Sequence, residues 1–240
     1  MIPETNLLNL HYIFPTDSEK LSAFLAESAV LNEDFAEYFA AQGLTLVDWL
    51  DEGYMVWTGN HPLATPEDFQ GFKMRTMASN LIMASFEAYG ATAVNIPYTE
   101  LYSGLQLSMA DGQTNPFEEI LNMKFYEVQS DATVANSDVF LAALIINQDL
   151  YDSLPDEAKG WISQAIEEIT DEYNQHQAEM AQHAIGELEE FGMNITYLTD
   201  EQINVFRELS ANTYDVYYEL AGANAQPLLD KFLAEAKSYY

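Results

Sequence analysis

The sequence predicts an α/β fold in one large or two modest lobes, and three observations carry that prediction. Short strand-like runs alternate with helical ones between Phe72 and Met109, the order that builds a sheet covered by helices. A proline-free helical stretch extends from Pro155 to roughly Phe191; at about 1.5 Å per residue it reaches on the order of 50 Å, long enough to cross two lobes. The 240 residues, 48% apolar and 13% aromatic, can bury a sizeable core and leave no long disordered tract.

Taken in order, residues 17 to 43 set Leu21, Phe24, Leu25, Phe35, Tyr38 and Phe39 at helical spacing, predicting two short helices stopped by Gly43. Leu44 to Leu50 and Tyr54 to Thr58 read as strands. Thr65 before Pro66 marks a helical start, and Gly71 ends that turn. Phe72 to Thr76 is a predicted strand, Asn80 to Tyr89 a helix closed by Gly90, Thr92 to Ile96 a strand and Tyr98 to Met109 a helix. Asp111 to Pro116 reads as a turn and loop, followed by a short helix over Phe117 to Met123. Strands are expected at Ala132 to Ala135 and Val139 to Ile146. After the long helix and its Gly192 stop, Asn194 to Leu198 suggests a strand, Thr199 opens a helix and Pro227 interrupts the last helical region.

Thirty-nine acidic against 8 basic residues give a net charge of -31, a field that repels nucleic-acid phosphates and anionic lipid head groups. No nucleic-acid partner is expected. Such a charge also opposes compaction unless salt shortens the screening length, from about 8 Å in physiological salt to about 3 Å at 1 M. A halophilic, salt-rich habitat is therefore expected for this acidic protein. The absence of cysteine leaves the redox compartment open and removes any thiolate chemistry. The longest wholly apolar run, Val139 to Ile146, is far shorter than the roughly 18 residues that span a bilayer. No direct membrane insertion is expected. Residues 1 to 15 lack the pattern of a signal peptide, and any export signal is expected to be outside this chain.

Arg75 ends an apolar strand that feeds a new helix, where ligands gather in open α/β sheets. Its planar fork can hold a carboxylate in two parallel hydrogen bonds, with an attraction of about 4 kcal/mol at 4 Å and an effective dielectric of 20 before desolvation. A structural pairing with a neighbouring Glu fits the same context. Asn115, on the predicted loop with Gln113 and Thr114, has an amide able to donate to a ligand oxygen; ordinary turn duty is the other reading. Tyr98 and Tyr102 flank Glu100 at a helix start, where a ring could pack on a ligand or into the core. His176 and His183 lie two helical turns apart with no third ligand evident, so no metal site is expected. No cofactor motif appears, and no nucleophile is set beside a base; no catalytic residue is assigned and an enzyme is not expected.

The stretches TPEDFQGFKMR, YGATAVNIPYTELYSGLQLSMADGQTNP, KFYEVQ and LIINQDLYDSLPDEAKGWISQA closely resemble the DctP-type solute-binding proteins of TRAP transporters, in that family's order and spacing. The resemblance is tight from about Thr65 to Ala165 and looser to near residue 220. It implies a two-lobed, periplasmic-binding-protein-like α/β fold with a helix spanning both lobes. Residues 1–51 and 141–180 would form the first lobe, and 52–140 and 181–240 the second. It further implies that Arg75 clamps the carboxylate of a small organic acid, that Asn115 assists and that Tyr98 packs on the ligand. Delivery to TRAP permease subunits from the periplasm would follow; a sensor domain of a signalling protein is the alternative. Thr114, where the family often has Glu, and Met55, where some sialic-acid-binding members have Arg, speak against a sialic acid. Met1 aligns inside the family's first lobe, so an incomplete first lobe with an exposed sheet edge is expected.

Overall fold

The computed structural model describes residues 2–240, leaving Met1 outside the described residues. The α/β expectation holds. The helices are α1 (Ser18–Glu27), α2 (Phe35–Ala40), α3 (Asn80–Tyr89), α4 (Leu101–Gln106), α5 (Phe117–Asn122), α6 (Gln148–Ser153), α7 (Asp156–Glu190), α8 (Asp200–Ser210), α9 (Tyr214–Ala221) and α10 (Ala225–Ala236). The strands are β1 (Leu44–Tyr54), β2 (Val56–Gly59), β3 (Lys73–Thr76), β4 (Thr92–Asn95), β5 (Gly112–Asn115), β6 (Asp131–Val134), β7 (Val139–Asn147) and β8 (Asn194–Tyr197).

Local chemistry explains most boundaries. Ser79 caps α3 by accepting from the Ile82 amide at 3.4 Å, and Gly90 ends it with φ at +106°, a left-handed turn open to glycine. Thr199 and Gln202 form a reciprocal capping box that starts α8. Asp68 accepts from the Thr65 amide at 2.8 Å, fixing a 3-10 turn over Pro66–Phe69.

Two sheets result. β4, β3, β5, β2, β6 and β8 form a six-stranded sheet in that order, parallel throughout except for β2, which runs against both neighbours. One of its faces packs Trp57, Phe69, Met74, Phe86, Tyr89 and Phe206, with Trp57 and Phe206 edge to face at 5.1 Å. The opposite face packs Val56, Ala132 and Val134 with Leu101, Phe117, Ile120, Ala184 and Leu188. β1 and β7 pair antiparallel as a second sheet. A third core joins Leu7, Phe24, Phe35 and Trp49 to Tyr217, Leu228 and Phe232.

Three expectations change. Leu44 to Thr58 is one long strand followed directly by another, not two strands with a gap, because β1 pairs with β7 as far as Tyr54. Asp111 to Pro116 is not a loop: Gly112–Asn115 is a buried strand bonded on both sides. Neighbouring strands override its weak local strand propensity. Pro227 lies in the first turn of α10, and the break falls earlier, at Gly222–Asn224. The expected grouping of 181–240 divides in its packing. Ala184, Leu188 and Phe206 pack on the six-stranded sheet, whereas Tyr217, Leu229 and Phe232 pack with residues of 2–39.

The chain passes between sheets at Met55 and again at 135–138, and the two crossings are tied by the Met55 amide donating to the Asp138 carbonyl at 3.0 Å. α7 makes a third link. Its Thr170 hydroxyl donates to Asp48 and its Gln177 amide to the Glu52 carbonyl at 3.0 Å, while Ala184 and Leu188 enter the core on the other side. The expectation of a helix spanning both parts is met.

His11 sits beside these crossings, 1% exposed, with Nδ1 2.7 Å from the Tyr89 hydroxyl and Nε2 3.8 Å from Asp138. Burial pushes its pKa below the ordinary 6.5, and Asp138 only partly opposes this. A depressed imidazole contributes its full stability above pH 6.5 and loses it as pH falls from there through the folded-state value. Urea unfolding of the wild type is expected to weaken between pH 7.5 and 5.5, and His11→Gln to lose less; equal losses in both would refute this assignment.

Candidate functional site

β3, β4 and β5 run in the same direction and end together, and β2, antiparallel to β5, begins at that same edge. Four loops therefore meet at the carboxyl ends of the central strands. Arg75 comes from β3, Tyr98 from the turn after β4, Asn115 from the end of β5, and Glu118 and Glu119 from the first turn of α5. The end of β1 arrives there too, because Tyr54 and Met55 lead directly into β2.

Arg75 is 2% exposed. Its Nε donates to the Ile96 carbonyl at 2.9 Å, whereas Nη1 is buried without a partner. Burial lowers the guanidinium's pKa and the neighbouring Tyr98 raises it, but so basic a group stays charged. The structural pairing left open above is absent: among the described residues no carboxylate lies within ion-pair distance of Arg75. An unpaired buried cation costs several kcal/mol, so its free N–H is the strongest pointer to an anionic partner.

Gln113 shares Arg75's register, and Asn115 shares Gln113's face of the sheet. Asn115 donates to the Gln113 side-chain oxygen, Gln113 Nε2 donates to the Thr58 hydroxyl at 3.0 Å, and that hydroxyl donates to Gln129 at 3.0 Å. Asn115 is 9% exposed and held at the end of this relay. Tyr98, 37% exposed, donates to the Glu119 carboxylate; burial and that carboxylate raise its pKa. Arg75, Asn115 and Tyr98 thus converge on one edge.

The remaining candidates separate from them. Thr114 alternates to the other face, opposite Trp57, where its hydroxyl is buried without a partner. Tyr102 lies on α4 and donates to Glu127, beyond the end of α5, at 2.6 Å. Met55 is buried at the crossing. His176 and His183 remain on α7, and among the described residues no group of three His, Asp or Glu could hold a metal ion.

Sequence reasoning missed the acidic side of this edge. Glu118 is 7% exposed and its Oε1 has no partner; Asp51 and Glu52 stand near it, as does Tyr173 of α7, whose hydroxyl is buried beside Glu52. Burial raises the carboxyl pKa of both Glu118 and Asp51. The available signal was spacing: Glu118 follows Asn115 by one short helical turn. Because the folded-state pKa of Glu118 lies above the ordinary 4.5, its charge costs stability at neutral pH, and the cost vanishes below that value. Glu118→Gln should melt higher than the wild type at pH 7, and the gap should close toward pH 4. A gap that widens on acidification would contradict the burial argument.

The family profile described as bacterial extracellular solute-binding protein, family 7 (DctP) matches residues 1–220. The ectoine-binding periplasmic protein TeaA of Halomonas elongata is 33% identical over 240 residues, 99% of this chain and 70% of the relative. The C4-dicarboxylate-binding periplasmic protein DctP of Rhodobacter capsulatus is 32% identical over 184 residues, 76% of this chain and 55% of the relative. The solved structure of the Halomonas elongata ectoine-binding protein superposes with a TM-score of 0.94 at 33% identity, covering 99% of this chain and 77% of that one.

Proposed function

We propose that this chain, which belongs to the DctP family of bacterial extracellular solute-binding proteins, receives a small organic acid by its carboxylate and passes it to the membrane permease of a TRAP transporter. The observation that carries the reading is the buried, unpartnered Nη1 of Arg75 at the carboxyl ends of the strands. Arg75 grips the carboxylate, Asn115 donates a second hydrogen bond and the ring of Tyr98 covers the bound acid. Ectoine and the C4-dicarboxylates named for the relatives share this carboxylate. Their naming as periplasmic binding proteins favours a transport receptor over a sensor domain, and a periplasmic place of work for this chain.

The mechanism needs no bond made or broken. The six-stranded sheet supplies one wall of the site, and the crossings at Met55 and 135–138, with α7, are the places where a change of angle between the two parts would be absorbed. A carboxylate entering the edge replaces the water lost by the guanidinium with two charge-assisted hydrogen bonds. Binding and closure then reinforce each other, since each desolvates the same ion pair. Among the described residues no helix is long and apolar enough to cross a membrane.

Arg75→Ala is expected to lower the affinity for an acid found by thermal-shift screening at least tenfold, about 1.4 kcal/mol; unchanged calorimetric binding would end the assignment. The net charge of -31 supports a salt-rich habitat. The melting temperature should rise from 0.1 M to 2 M KCl as repulsion is screened, and indifference to salt would remove that reading.

A further inference from the structure

An anion grip at Arg75 leaves a second buried group of opposite sign unexplained. Glu118, 7% exposed, keeps Oε1 without a hydrogen bond on the same sheet edge. It lies in the first turn of α5, three residues after Asn115, so the two belong to one strand-to-helix turn. The charges of Glu119, Glu52 and Asp51 are near enough to act on it, and its own acts on Tyr173. The Tyr173 hydroxyl is buried beside Glu52, and Glu119 accepts from Tyr98, which neighbours Arg75. The backbone amide of Glu118 itself offsets part of the burial, but its Oε1 has no donor and loses solvation that nothing in the protein returns. Its carboxyl pKa is pushed up accordingly.

The missing partner is a donor with positive charge. A metal ion does not fit, since no three acidic or histidine side chains converge among the described residues. A cation from the protein does not fit either. Lys73, the other basic residue of β3, sits at the opposite strand end, bound to the Ser108 carbonyl at 2.6 Å and 3.8 Å from Asp111. What remains is a cation carried by the ligand. A second carboxylate on the ligand would instead face Glu118, Glu119, Asp51 and Glu52.

We infer that the acid held by Arg75 is a zwitterion whose positively charged nitrogen takes Glu118 as its counter-charge. This rests on the reading of Arg75 as the carboxylate grip and adds a residue that selects among acids. Arg75 accepts any carboxylate; Glu118 rejects those whose other end is anionic and leaves neutral ones without a matching donor.

The experiment is calorimetry of the protein with zwitterions that carry N–H groups (ectoine, proline), a neutral-ended monocarboxylate (pyroglutamate) and a dicarboxylate (succinate). At least one zwitterion should bind tenfold or more tighter than pyroglutamate and succinate. This ranking needs no variant, and succinate or pyroglutamate binding as tightly as every zwitterion overturns the inference. In Glu118→Gln the best zwitterion should weaken at least tenfold while pyroglutamate stays within about twofold, and Glu118→Asp should recover part of the loss. An undiminished zwitterion affinity in Glu118→Gln overturns the counter-charge and leaves the Arg75 grip standing if Arg75→Ala still abolishes binding. Affinity surviving in Arg75→Ala sinks the grip itself, and the inference with it.

Discussion

Strand β5 is the constraint from which the site follows. Its residues are polar or lack a side chain, yet it is buried between β2 and β3. The close approach depends on Gly112: a β-carbon there would lie 2.0 Å from the Thr58 carbonyl oxygen and 2.5 Å from the Phe72 ring. Buried amides need partners, and the relay from Asn115 through Gln113 and Thr58 to Gln129 supplies them. The same hydrogen bonds that make β5 a tolerable interior strand therefore aim Asn115 at the edge where Arg75 ends.

That edge concentrates opposite charges that are not paired with each other. Arg75 is buried with a free N–H, and Glu118 is buried with a free oxygen. In a chain with a net charge of -31, a desolvated cation is a selective trap for an anion, because the rest of the surface repels it. Under the proposed reading, the carboxylates grouped at the crossing of β1 into β2 would restrict which anions fit. Both groups are desolvated, and a ligand of matching charges would relieve that cost.

Several links between the two parts of the molecule are polar. Met55 to Asp138, Tyr12 to Ser137 and Gln177 to Glu52 are backbone or side-chain hydrogen bonds, whereas the cores on either side are dense with aromatic contacts. Stiff bodies joined at the strand crossings and by α7 would suit a receptor that closes on its ligand. His11, wedged against Tyr89 and Asp138 beside the crossings, ties the packing of one body to the geometry of the connection.

The sequence by itself determined the local order: Ser79 and Gly90 bound α3, Thr199 and Gln202 start α8, and the proline-free stretch after Pro155 becomes α7, because capping and helical spacing act within a few residues. It also placed Arg75 at the end of a strand, and the family's motifs were readable around it. Only the tertiary structure decided that Gly112–Asn115 is a strand, since Gly, Gln and Asn have little strand preference of their own and yield to the neighbours that bond them. Likewise an acid in the first turn of a helix reads as a solvated residue favoured by the helix dipole. That Glu118 is buried beside Asp51, Glu52 and Tyr173, while Thr114 turns to the opposite face, depends on segments far apart in the chain, and burial of a charge is a property of what surrounds it.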